Sequence, residues 1–169
     1  RLPDTVEIAA LADPDPARRR KLLELAKPAT PPAEYADWRD LYGRHPDLDG
    51  VVICSPNHLH AEHAVPFLER GLPIALEKPL ATTPEDCERI LAAERTGGGR
   101  TLLGFVLRSA PFYKTFHDIV ASGALGRLCT LEAHEHVRWT VSSLFMRGSW
   151  RRYQRTSGGI MLEKCCHDL

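Results

Sequence analysis

Long apolar runs are missing from this chain. No stretch approaches the ~20 consecutive apolar residues of a membrane-spanning helix, which argues against a membrane partner. An excess of one charge is missing as well. Lys+Arg and Asp+Glu balance at 22 each, so net charge offers no argument for nucleic acid or an acidic membrane surface. Paired cysteine spacing is absent too. The five cysteines, at positions 54, 87, 129, 165 and 166, are an odd number, which points to reduced thiols in a cytoplasmic protein and away from a disulfide framework. No charged-then-apolar signal segment opens the chain, and no internal repeat or low-complexity segment is visible. What is there is a soluble globular composition, 43% apolar and 26% charged over 169 residues, enough for one ordinary domain or parts of two.

The most informative stretch is Ile74-Ala75-Leu76-Glu77-Lys78-Pro79. Its apolar run reads as a buried strand. Pro79 has no N–H and restricts Lys78 to an extended conformation, so the strand stops there. This leaves a lysine at the carboxyl end of a buried strand, the edge where ligands bind in open α/β sheets. A partly desolvated lysine favours its neutral form and suits proton transfer. In isolation the same tripeptide also fits a surface lysine in a turn.

The surroundings repeat one theme. Val6 to Leu11 reads as a buried strand ending at Ala12-Asp13-Pro14, and Pro16 suits the first turn of a helix whose apolar side is Leu22, Leu23 and Ala26. Tyr35 fits a short strand, and Asp37 an N-cap for the helix around Trp38 to Tyr42. Val51 to Cys54 is the next buried strand, closed by Ser55-Pro56-Asn57 with Asn57 as N-cap of a helix that Gly71 ends. After Glu-Lys-Pro, Thr83 caps a helix that Gly97 to Gly99 stop, and Thr101 to Gly104 is one more strand. Alternating strands and helices predict a doubly wound parallel sheet over residues 1–104.

From residue 105 the pattern changes. Phe112, Phe116, Ile119 and Val120 mark a helix ending near Gly123. From Leu128 to Trp139 the residues alternate, with Cys129, Leu131, Ala133 and Val137 on one side, which predicts a half-exposed strand of an antiparallel sheet. Residues 105–169 are therefore expected to begin a second, α/β domain. Its last stretch, Ile160 to Leu169 after Gly158-Gly159, is expected to be a helix with Glu163 and His167 on one face. His58, His60 and His63 do not share one helical face. No metal site is expected there or at His134 and His136, which share a strand face.

Taken in order, Ala12-Asp13-Pro14, Ser55-Pro56-Asn57 with His60, Glu77-Lys78-Pro79, Gly104-Phe105 with Arg108 and Pro111, Trp150-Arg151, and Gly158-Gly159 with Glu163 and His167 make the chain resemble the Gfo/Idh/MocA oxidoreductases. The resemblance implies an N-terminal Rossmann domain, a C-terminal α/β domain with a large open sheet, and hydride transfer between a nicotinamide cofactor and a sugar or cyclitol hydroxyl. It implies Lys78 as the catalytic lysine, with Glu163 and His167 where the family carries an Asp-x-x-x-His pair. Glu for Asp is a departure that adds a methylene. Ser55, Pro56, Asn57, His60, Glu77, Lys78 and Pro79 are implied cofactor contacts, and Lys78, Arg108, Trp150, Arg151 and His167 substrate contacts. Asp13 would bind the adenosine ribose hydroxyls and repel a 2′-phosphate, favouring NAD over NADP. The resemblance also implies a homo-oligomer. Two other readings of the same fold are an NAD-dependent, redox-assisted glycoside hydrolase and a non-catalytic NAD- or sugar-binding regulator.

One family element has no counterpart. No Gly-x-Gly-x-x-Gly, the loop that cradles the pyrophosphate at a helix N-terminus, occurs in these residues. The first residue is an arginine already close to a strand, and Leu169 falls inside a helical pattern, so the chain reads as an internal fragment of a longer enzyme. The central first strand of the sheet is expected to be missing, leaving NAD binding weak and the chain unstable.

Overall fold

The computed structural model describes residues 6–132, 134 and 136–167. The chain forms two compact units, one running to Gly50 and the other starting at Val51. This division follows the two sheets.

The first unit is β1 (Ala10–Ala12), α1 (Pro16–Ala26), β2 (Ala33–Tyr35) and α2 (Trp38–Arg44). β1 and β2 are parallel, with Ala10 opposite Ala33. The strand expected from Val6 is shorter and later, because the ladder with β2 begins only where Ala33 N–H donates to the Ala9 carbonyl (3.0 Å). Asp15 caps α1 by accepting from Ala17 N–H, ahead of Pro16 at the first helical position. Asp37 caps α2 as expected, accepting from Arg39 N–H. Leu11 and Leu41 are its buried apolar side chains.

The second unit opens with β3 (Val51–Ile53), α3 (His60–Glu69), β4 (Ile74–Leu76), α4 (Pro84–Gly97) and β5 (Thr101–Leu103). The strands are parallel in the order β3-β4-β5, registered Val51–Ile74–Thr101 and Ile53–Leu76–Leu103. Alternate residues on a strand face opposite ways. Ile53, Ile74 and Leu76 are buried, and α3 with α4 supplies Ala61, Ala64, Phe67, Leu68, Ile90 and Ala93 to the same core. Val52 and Leu102, which flank Ala75 in register, are instead 74% and 73% exposed. Thr83 caps α4 by accepting from Asp86 N–H, and Gly98 ends it at φ 80°. α3 and α4 pack closely where α4 ends: a Cβ on Gly97 would lie 2.0 Å from the Leu68 carbonyl oxygen.

Beyond β5 come α5 (Pro111–Ala121), α6 (Trp139–Met146), α7 (Gln154–Ser157) and α8 (Ile160–Cys165). The half-exposed strand expected from Leu128 is not formed: the described residues from Leu128 to Arg138 have no regular structure. Alternation makes a strand only where a neighbour supplies the ladder, and among the described residues this segment has none. Ala133, which belongs to that expected strand, lies outside the described residues. α8 stops at Cys165, and His167 sits in the turn after it. The expected helix to Leu169 is thus shorter, and Asp168 and Leu169 lie outside the described residues. No described helix is long and apolar enough to cross a membrane.

Candidate active site

Parallel strands bring their carboxyl ends to one edge. Glu77 N–H donates to the Ile53 carbonyl (3.0 Å) and Gly104 N–H to the Leu76 carbonyl (2.8 Å). Ser55-Pro56-Asn57, Glu77-Lys78-Pro79 and Gly104-Phe105 therefore leave the sheet side by side. The Lys78-Pro79 peptide is cis. Gly104 sits under Glu77: a Cβ there would come within 3.2 Å of Glu77 Oε2. That oxygen accepts from Lys78 N–H (3.2 Å).

Glu163 is the centre of the site, although it is only 7% exposed. Its Oε1 accepts from Arg151 Nε at 2.8 Å, and its Oε2 accepts from Asn57 Nδ2 at 2.6 Å. Lys78 Nζ donates to the Glu163 backbone carbonyl and lies 3.9 Å from Oε1. One buried carboxylate thus faces two cations and an amide, the arrangement that makes a buried charge tolerable. Asn57 Nδ2 also donates to the Ser157 carbonyl (3.0 Å), which ties the turn after β3 to the segment leading into α8. Gly158 and Gly159, at φ 82° and 92°, let that segment turn. A Cβ on Gly158 would lie 2.3 Å from Leu162 Cδ2.

His167 packs edge-on to Phe105, with ring centroids 6.0 Å apart, and the Arg108 guanidinium lies 4.9 Å from the centre of the same Phe105 ring. Arg151 lies 4.5 Å over the Trp150 ring. The structure thus gathers Lys78, Asn57, Arg151 and Glu163 into one network. It also places Arg108, Phe105 and His167 in one stack.

Three expectations need correction. Asn57 is not a helix N-cap: it lies inside a 3-10 turn, Asn57–Leu59, that has Pro56 at its cap position and no capping bond, and its Nδ2 donates to Glu163 and Ser157. His60 cannot serve as a cofactor contact, since it is 0% exposed and both ring nitrogens face backbone carbonyls, those of Pro79 (2.8 Å) and Ser55 (3.0 Å). Glu163 and His167 do not share a helix face, since α8 ends at Cys165 and His167 lies in the turn after it, and Glu163 bonds to Asn57 and Arg151. Apart from these three, Arg151, expected at the substrate, donates through its Nε to Glu163.

His58 Nδ1 meets the Thr156 carbonyl (3.2 Å), and His63 Nδ1 meets Ser55 Oγ (2.9 Å), the residue whose carbonyl faces His60, so the three rings are engaged by backbone and hydroxyl groups. Among the described residues no three His, Cys, Asp or Glu side chains converge as a metal site would require. Cys54 follows β3, and its thiol is pushed above the ordinary range, first by desolvation and second by the Glu77 carboxylate. Asp13 belongs to the first unit. It ends β1, where its N–H donates to the Tyr35 carbonyl (3.2 Å) and its Oδ1 accepts from Asp15 N–H (2.8 Å). The bond between Asn57 and Glu163 joins residues 106 positions apart, and no local pattern signals it.

Residues 1–105 match the model of the Gfo/Idh/MocA oxidoreductase family, whose members carry an NAD-binding Rossmann fold. The chain belongs to this family. It is 34% identical over 137 residues to inositol 2-dehydrogenase of Salmonella typhimurium, across 80% of this chain and 40% of that protein. It is 32% identical over 134 residues to the uncharacterized oxidoreductase YrbE of Bacillus subtilis, across 79% of this chain and 37% of that one. Levoglucosan dehydrogenase, solved in complex with NADH and levoglucosan, superposes with a TM-score of 0.77 at 26% identity, over 95% of this chain and 42% of its own. The chain thus spans about 40% of the length of these relatives.

Proposed function

We propose that the protein carrying these residues is an NAD-dependent dehydrogenase that transfers hydride between the nicotinamide and a secondary hydroxyl of a sugar or cyclitol. The observation that carries this reading is Lys78. It stands at the carboxyl end of β4, with its side chain 16% exposed and its ammonium directed to Glu163.

The residues fit the nicotinamide end of the cofactor. The loops after β3, β4 and β5 share one edge, and Gly104 keeps side-chain bulk away from Glu77. When bound, NAD supplies the hydride acceptor. Alcohol oxidation also requires the hydroxyl proton to leave as hydride departs, and that part falls to the chain. Lys78 orients the substrate oxygen and relays its proton, and His167 accepts it. Glu163 is a positioning residue, because both of its oxygens are already hydrogen-bonded. Arg108, exposed beside Phe105, and Trp150 serve as substrate contacts. Asp13, at the end of β1, would accept from ribose hydroxyls and repel a 2′-phosphate, so NAD is the preferred cofactor over NADP.

The relatives point the same way, being an inositol 2-dehydrogenase and a levoglucosan dehydrogenase. The test is NADH formation from a panel of cyclitols, aldoses and anhydrosugars. Lys78→Ala should lower kcat by about 10²–10⁴ while NAD+ affinity changes little. A Lys78→Ala protein with undiminished turnover would refute the assignment.

A further inference from the structure

We propose that His60 is a positioning residue that sets Lys78 through the Pro79 carbonyl, with the imidazole proton on Nδ1. This rests on the role given to Lys78 above.

His60 opens α3, and its side chain has no exposed surface. Its Nδ1 lies 2.8 Å from the Pro79 carbonyl oxygen and its Nε2 3.0 Å from the Ser55 carbonyl oxygen. A carbonyl oxygen only accepts, and a neutral imidazole carries a single N–H. In either neutral tautomer one contact is a hydrogen bond and the other a packing contact. The Pro79 contact is the shorter of the two, and we place the N–H on Nδ1, facing Pro79.

The position of that bond gives it a role. Pro79 follows Lys78 directly, so anchoring its carbonyl fixes the backbone from which Lys78 reaches the Glu163 carbonyl. Ser55 lies two residues before Asn57, whose amide holds the Glu163 carboxylate from the other side. His60 thus stands beneath both arms of the site without touching it. The ring fills the space between the two loops, and the Nδ1 proton selects which loop it holds.

Two substitutions separate the two contacts. The amide nitrogen of Asn occupies the place of Nδ1, and that of Gln reaches the place of Nε2. On the full protein, His60→Gln should lower kcat about tenfold or more while leaving the KM for NAD+ within about twofold, and His60→Asn should recover most of the loss. In a Lys78→Ala background, His60→Gln should have no further effect on kcat, since coupled residues are not additive.

Two spectroscopic readouts need no activity. ¹⁵N-labelled histidine should show the His60 proton on Nδ1, and the Lys78 Cε resonance should move in His60→Gln and stay in place in His60→Asn. A proton on Nε2, or equal shifts of the Lys78 resonance in both variants, would overturn the proposal. If the wild-type protein oxidises no sugar with NAD+, the functional reading fails, and the two spectra still decide whether His60 holds Pro79 and Lys78.

Discussion

Replacing Glu163 by Gln preserves the shape of the side chain and removes its charge. Each carboxylate oxygen now accepts from a donor, Arg151 Nε at 2.8 Å and Asn57 Nδ2 at 2.6 Å. A glutamine amide has one oxygen and one NH2, so it must turn its NH2 toward one of those donors and lose that bond. A hydrogen bond to a charged group contributes about 1.5–3 kcal/mol. The lost attraction to Lys78 and Arg151 adds to this. The Arg151 side chain is 34% exposed, so solvent takes up part of its charge, and that share is held to at most about 1 kcal/mol. The net expectation is a loss of about 2–3 kcal/mol, which corresponds to a fall in Tm of roughly 5–10 °C for a unit of this size. The assay is a thermal melt of wild type and Glu163→Gln, with the exposed Glu132→Gln as control. Faster amide exchange in α8 would place the loss locally. A Glu163→Gln melt within about 1 °C of both wild type and control would show that the network contributes nothing to holding α8 against the turn after β3.

Other changes test the frame around the site. Gly97→Ala would drive a Cβ to 2.0 Å from the Leu68 carbonyl oxygen and 2.5 Å from Glu69 Cα, so α3 and α4 must separate; the expected cost is about 1–3 kcal/mol, and an unchanged urea midpoint would contradict it. Thr83→Ala removes the side chain that accepts from Asp86 N–H and should cost about 1 kcal/mol, measured by the same denaturation and absent if the cap contributes nothing. The Cys54 thiol is raised by desolvation and then by Glu77, so its thiolate forms only at higher pH. Alkylation of Cys54 should therefore begin at higher pH than that of an ordinary thiol, and Glu77→Gln should shift the onset back down, read by mass spectrometry across a pH series; an unshifted onset would remove Glu77 as a cause.

How much of this was legible in the sequence depended on range. The parallel β3-β4-β5 unit could be read because each of its signals is local: an apolar run, a cap at Thr83, a glycine stop at Gly98. Lys78 could be placed because Pro79 ends β4 within the same tripeptide. The role of Asn57 could not be read, since its partners Ser157 and Glu163 lie 100 and 106 residues away. The N-cap reading followed a local rule, and the side chain instead serves a carboxylate far along the chain. His60 shows the same limit, because only the fold places a carbonyl against each side of its ring. The alternation from Leu128 to Trp139 misled for the converse reason. It describes how residues would face on a strand, and a strand also requires a neighbour to complete its ladder.

The central claim is that Lys78 serves hydride transfer between NAD and a sugar or cyclitol hydroxyl. The most direct measurement is NADH formation by wild type and Lys78→Ala with inositol and a panel of sugars, alongside NAD+ calorimetry on both. The account predicts turnover in wild type, loss of about 10²–10⁴ in kcat on substitution, and near-equal NAD+ affinity. Equal turnover in the two proteins, or NAD+ binding without oxidation of any sugar or cyclitol, would contradict it.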